Sequence, residues 1–106
     1  MAHQDLAPKE FLAAYKNSDN AVLIDVRTPA EIEDISIDGH LAIDIQHPSF
    51  IEKIGELDKS KNYYVYCRSG NRSGQACRYM TSQGFTGEIV NLKGGMLAWV
   101  ETDFED

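Results

Sequence analysis

The chain is expected to fold as an α/β domain on a mainly parallel sheet, and three observations carry that expectation. Short apolar runs such as AVLID (21–25) and YYVY (63–66) alternate along the chain with stretches of helical period. AVLID is continuously apolar up to its final Asp25, as strands covered on both faces are. Strand and helix follow one another in turn, which gives parallel pairing through right-handed crossovers.

In chain order, residues 6–17 (LAPKEFLAAYKN) put Pro8 near a helix start and Phe11, Leu12 and Tyr15 at i, i+1 and i+4 on one face. AVLID is the first strand. Residues 40–45 (HLAIDI) read as a short strand, and 48–57 (PSFIEKIGEL) as a helix with Phe50, Ile51, Ile54 and Leu57 on one side. After the strand YYVY, residues 73–84 (SGQACRYMTSQG) form a helix with an Ala76, Cys77 and Met80 stripe, stopped by Gly84. GEIVNL (87–92) is a strand, and GGMLAWVET (94–102) a last turn or helix carrying Trp99 as core or pocket wall. Ligands of such sheets sit beyond the carboxyl ends of the strands, where Asp25 and Cys67 both fall.

No repeat, low-complexity tract or linker divides the sequence, so residues 1–106 are expected to form a single domain. A chain of this length buries roughly two thirds of its unfolded surface, enough to fold without metal or disulfide. Two cysteines and no apolar leader at the first residues point to a cytoplasmic location, and no run approaches the ~18 apolar residues of a membrane span. A net charge of −7, spread along the chain, speaks against nucleic acid as a partner. His3, His40 and His47 lack metal-ligand spacing with the cysteines, so neither zinc nor another cofactor is expected.

The stretch VYCRSGNRSGQAC (65–77) carries the chemistry. Cys67 closes a strand, Gly70 permits a turn that a side chain would obstruct, and Arg72 and Ser73 open the next helix. A chain curling around a strand-end thiol into a helix turns successive N–H groups inward, making an anion cradle at the helix's positive end. Such a cradle lowers a thiol from about 8.5 into the range of ~3.5–7.5, so Cys67 is expected to be a thiolate nucleophile needing no adjacent base. Arg68, Ser69, Gly70, Asn71 and Arg72 are the candidate substrate-binding residues: Arg68 as rim charge for an anion, Ser69 as a hydroxyl alongside that of Ser73, and Arg72 either orienting the loop or pairing with an acid such as Glu31. Cys77, on the apolar helix stripe, is expected to be a packed core thiol.

VYCRSGNRS followed by a helix, LIDVRTPAEI (23–32) and GFTGEIVNLKGGMLAW (84–99) together resemble, in order, the signatures of single-domain rhodaneses, which are thiosulfate sulfurtransferases. The resemblance spans 23–99 and implies a three-layer rhodanese-like fold with helices on both faces of the sheet. It implies that Cys67 takes the outer sulfur of thiosulfate or another sulfane-sulfur donor as a persulfide and passes it to cyanide, a thiol or a protein acceptor. Asp25 and Arg27 would then belong to a buried polar network beside the site. One stretch departs from the family pattern: aligned without gaps, Ile35 and Ser36 replace the usual Gly-His, and His40 replaces an Ala after Gly39.

Two rivals share these features. Cysteine-dependent phosphatases also hold a thiolate before a helix, but their loop from Cys to Arg is longer, whereas only Arg68, Ser69, Gly70 and Asn71 separate Cys67 from Arg72. The tighter ring suits one sulfur better than a tetrahedral oxyanion. Rhodanese-like domains also serve as sulfur carriers or regulatory modules, and the retained cysteine argues against a purely structural one.

Overall fold

The computed structural model describes residues 2–104; Met1, Glu105 and Asp106, at the ends of the expected domain, lie outside the described residues. Five strands, β1 (Gln4–Leu6), β2 (Ala21–Asp25), β3 (Leu41–Ala42), β4 (Asn62–Tyr66) and β5 (Ile89–Leu92), form one sheet in the order β1-β5-β4-β2-β3. Every adjacent pair is parallel. The helices are α1 (Pro8–Asn17), α2 (Pro29–Asp34), α3 (Phe50–Gly55), α4 (Asn71–Thr81) and α5 (Gly95–Glu101).

The period of two along the central strands builds two apolar layers. Leu23, Tyr64, Tyr66, Val90 and Leu92 pack with Phe11 of α1 and Met96 of α5. Ile24, Tyr63, Val65 and Ile89 face the other way, toward Ile54 of α3 and Ala76, Cys77 and Met80 of α4. Helices therefore cover both faces, as expected of buried parallel strands. The three β4 tyrosines lie in the core because each hydroxyl finds a backbone partner: Tyr63 donates to Asp58 O at 2.7 Å, Tyr64 donates to Ala14 O at 3.2 Å, and Tyr66 accepts from Ile37 N–H at 3.0 Å. Trp99 packs edge-on against Phe11, with ring centroids 6.3 Å apart.

Five elements differ from the sequence expectation. The strand expected over 40–45 is only two residues long, and both of them are exposed at the sheet edge. Helix α3 is shorter than 48–57, and Ile51 is 55% exposed while Phe50 and Ile54 are buried. Consecutive helical residues point about 100° apart, so a helix touching the core along a narrow line buries i and i+4 and leaves i+1 outside. Helix α4 starts at Asn71, two residues before the expected point, and the chain after it turns through Gly84 at φ +84°. Strand β1 and helix α2 were not anticipated at all.

The departing stretch, 35–42, is tied to the core by its backbone. Ile35 O accepts from Arg27 Nη2 at 2.6 Å, Ile37 N–H donates to Tyr66 as above, and His40 Nδ1 meets Ile37 O at 2.9 Å. Of its side chains, Ile37 packs against the Tyr66 layer of the core, whereas Ile35 is exposed.

Candidate active site

Cys67 follows the last residue of β4 at the carboxyl edge of the sheet, and none of its surface is exposed. Gly70 N–H donates to its Sγ at 3.1 Å and the Ser73 hydroxyl lies 3.3 Å from it. Burial acts to raise the thiol, yet the Ser73 hydroxyl and the N–H groups of Ser73, Gly70 and Ser69 outweigh it, so the Cys67 pKa falls below that of an ordinary thiol. Cys77, buried in the core on α4, has no such donors and burial pushes it up. Two thiols of one chain thus sit on opposite sides of the ordinary value. Only one is prepared to ionise.

Two glycines make the loop possible. Gly70 stands at φ +93° immediately before α4, where a Cβ would come within 3.2 Å of Gly94 N and of Leu92 O. Gly95 stands at φ +59°, and a Cβ there would lie 2.6 Å from Cys67 O. That close approach has a purpose: Met96 N–H donates to Cys67 O at 2.9 Å and Leu97 N–H to Arg68 O at 3.0 Å. The first turn of α5 holds the outward carbonyls of the loop, which leaves the loop N–H groups turned in toward sulfur.

Arg72 makes a two-pronged ion pair with Glu31, Nη1 and Nη2 each 2.8 Å from a carboxylate oxygen. Of the two roles open to Arg72 in the sequence, the pairing with an acid is the one its side chain adopts. Glu31 is itself the third residue of α2 in a capping box: it accepts from Thr28 N–H at 3.1 Å, and its own N–H donates to Thr28 Oγ1 at 3.4 Å. The Arg72 guanidinium, against an opposing contribution from burial and with help from Thr28, holds the Glu31 carboxyl at about 2. Deeper, Arg27 grips Asp25 through Nε at 3.0 Å and Nη2 at 2.8 Å, both residues buried. The guanidinium also lies 5.5 Å from the centre of the Tyr66 ring.

Arg68 and Ser69 are exposed on the rim, as is Asn71 at the start of α4. Arg68 borders a pocket of about 260 Å³ together with Glu31, Ile35, Met96, Leu97 and Val100. Around the loop that holds Cys67, Ser69 and Gly70 and leads through Arg72 into α4, the structure sets the Ser73 hydroxyl, noted in the sequence beside that of Ser69, and adds Asn91 and Asp5, which the sequence did not single out as site residues. Asn91 Nδ2 donates to Asp5 Oδ1 at 2.9 Å and to Gly70 O at 3.2 Å. Its signal in the sequence was an amide inside the apolar run IVNL. Among the described residues no cluster of His, Cys, Asp or Glu has the makings of a metal site, and no helix is long and apolar enough to cross a membrane.

A family model described as a rhodanese-like domain matches residues 7–102. The chain belongs to the rhodanese-like family. A relative named sulfurtransferase, from Allochromatium vinosum, is 40% identical over 85 residues, covering 78% of this chain and 75% of the relative. The Bacillus subtilis protein YtwF is 44% identical over 77 residues, covering 73% of this chain and 71% of that protein. The crystal structure of a rhodanese-like domain protein from Staphylococcus aureus superimposes with a TM-score of 0.78 at 26% identity, covering 91% of this chain and 90% of the other. The rhodanese-like architecture thus places the loop from Cys67 to Ser73 at the carboxyl ends of the strands.

Proposed function

We propose that this rhodanese-like chain acts as a single-domain cytoplasmic sulfurtransferase, with Cys67 as nucleophile and thiosulfate or another sulfane-sulfur compound as donor. The Cys67 sulfur, accepting an N–H from Gly70 and facing the Ser73 hydroxyl in a closed loop, carries the reading. The kinship with the Allochromatium vinosum sulfurtransferase supports it. The Cys67 thiolate attacks the outer sulfur of thiosulfate; a new S–S bond forms, the old one breaks, and its electron pair leaves with sulfite. The product is a Cys67 persulfide carrying its charge on the terminal sulfur. A nucleophile, cyanide, a small thiol or a protein thiolate, then attacks that terminal sulfur, and the pair of the Cys67 S–S bond returns to Sγ as thiolate.

The loop N–H groups stabilise negative charge on sulfur at both stages, and Arg68 on the rim attracts the dianion against a chain of net charge −7. Ser69, Gly70 and Asn71 contribute backbone and rim polarity to the sulfur site, and Arg72 serves it by fixing the start of α4 to Glu31. Incubation with thiosulfate followed by intact mass is the test. The protein is expected to gain one sulfur atom, Cys67→Ser none, and Cys77→Ser about as much as the parent. A parent chain that gains sulfur from no donor, or a Cys67→Ser variant that gains it equally, would sink the proposal.

A further inference from the structure

Ser73 has one hydroxyl proton and stands between two acceptors. Its Oγ is 2.5 Å from Asn91 Oδ1 and 3.3 Å from Cys67 Sγ, and Ser73 has no exposed surface. The Asn91 amide is not free to turn over. Its Nδ2 faces Asp5 Oδ1 and Gly70 O, two oxygens that only accept, which leaves Oδ1 toward Ser73. Asn91 is 5% exposed in a strand whose other members are buried and apolar, a place where an amide is retained only if its hydrogen bonds are made.

We propose that Asn91 is a positioning residue that makes the Ser73 hydroxyl a two-position donor, turned to the Asn91 amide oxygen while Cys67 Sγ is neutral and to Sγ while it is charged. The assignment rests on the reading of Cys67 as the nucleophile. A bond to an ionised acceptor is about twice as strong as a neutral one, so the thiolate draws the proton away from Asn91. When sulfur is loaded, charge moves from Sγ to the outer sulfur and the hydroxyl returns to Asn91. When sulfur leaves, the hydroxyl turns back. Asn91 therefore stabilises the neutral form of Sγ and competes with the cradle, which keeps the thiolate from becoming too stable to attack, since nucleophilicity falls with basicity. Other charged or titratable groups near Cys67 include Arg68 on the rim and Arg72, tied to Glu31, together with Cys77 in the core and Asp5 behind Asn91.

The two partners of one hydrogen bond should thus shift the thiol in opposite directions. The measurement is the thiolate absorbance of the whole protein against pH, with Cys67→Ser as the blank, so it needs no sulfur donor. Ser73→Ala removes a donor to the charged form and should raise the midpoint by about 1–2 pH units. Asn91→Ala removes the competing acceptor and should lower it by about 0.5–1 unit, the worth of one neutral hydrogen bond. In Ser73→Ala/Asn91→Ala the effect of Asn91 should vanish.

A brace holding Gly70 O and nothing more would act differently: Asn91→Ala would raise the midpoint, and would do so equally with Ser73 absent. Either result overturns the assignment. Should Asn91→Ala not fold, Asn91→Asp keeps the acceptor and adds charge. Its upward shift should then be about 0.5–1 unit smaller with Ser73→Ala than without it, one hydrogen bond being at stake; equal shifts would overturn the assignment. Failure of every donor to load Cys67 would count against sulfur transfer, whereas these midpoints bear on Asn91 alone.

Discussion

Glu31→Gln isolates the ion pair that joins α2 to the start of α4. The native carboxyl falls from an ordinary 4.5 to about 2, which at ~1.4 kcal/mol per unit corresponds to at most about 3.5 kcal/mol of stability. Water reaches both side chains, 23% and 27% exposed, so about 1–2 kcal/mol is the expected share. Gln preserves the capping-box geometry and one of the two hydrogen bonds to Arg72, so the loss is that of the charge and of the second hydrogen bond. A carboxyl depressed in the folded state stabilises above its unfolded value and ceases to do so as pH falls through the folded one. Urea unfolding should therefore show the parent about 1–2 kcal/mol more stable than Glu31→Gln near neutrality, the gap closing between 4.5 and about 2. A difference that does not change across that window, or one absent at pH 7, would refute the linkage.

Arg68→Ala should raise the thiosulfate KM severalfold with little change in kcat, and added salt should do the same to the parent; an unaltered KM would remove Arg68 from substrate binding. Gly95→Ala forces a Cβ against Cys67 O and a side chain onto φ +59°. Thermal unfolding should show a loss of at least about 1 kcal/mol, and sulfur loading should fall with it; parent-like loading would show that α5 does not shape the loop. The parent should hydrolyse aryl phosphates negligibly, because the span from Cys67 to Arg72 is short and Arg72 is committed to Glu31. Efficient hydrolysis, lost in Cys67→Ser, would favour the phosphatase reading.

What could be read from the sequence were the features written in local pattern. AVLID and YYVY are apolar because both faces are covered, and Gly70 before a helical stripe announces the turn around Cys67. Strand β1 carries no such pattern: Gln4, Asp5 and Leu6 sit at an edge, held by register with Val90, Asn91 and Leu92. Helix α2 buries nothing, and its Thr28, Pro29 and Glu31 signal goes unread without an apolar period. Ile51 matched the helical spacing yet stayed outside, since spacing does not say how wide the covering surface is. The pairing of Asn91 with Ser73 joins residues 18 apart on different elements, so only the folded sheet brings them together.

The hold of α5 on the carbonyls of Cys67 and Arg68 has a consequence in time. During synthesis the thiol leaves the ribosome before the segment that shapes its surroundings. Until Gly95, Met96 and Leu97 follow, the carbonyls of Cys67 and Arg68 lack the partners that hold them outward. The sheet order enforces the same schedule, because β1 has no neighbour until β5 arrives. The surroundings of Cys67 are thus complete only once β5 and α5 have docked.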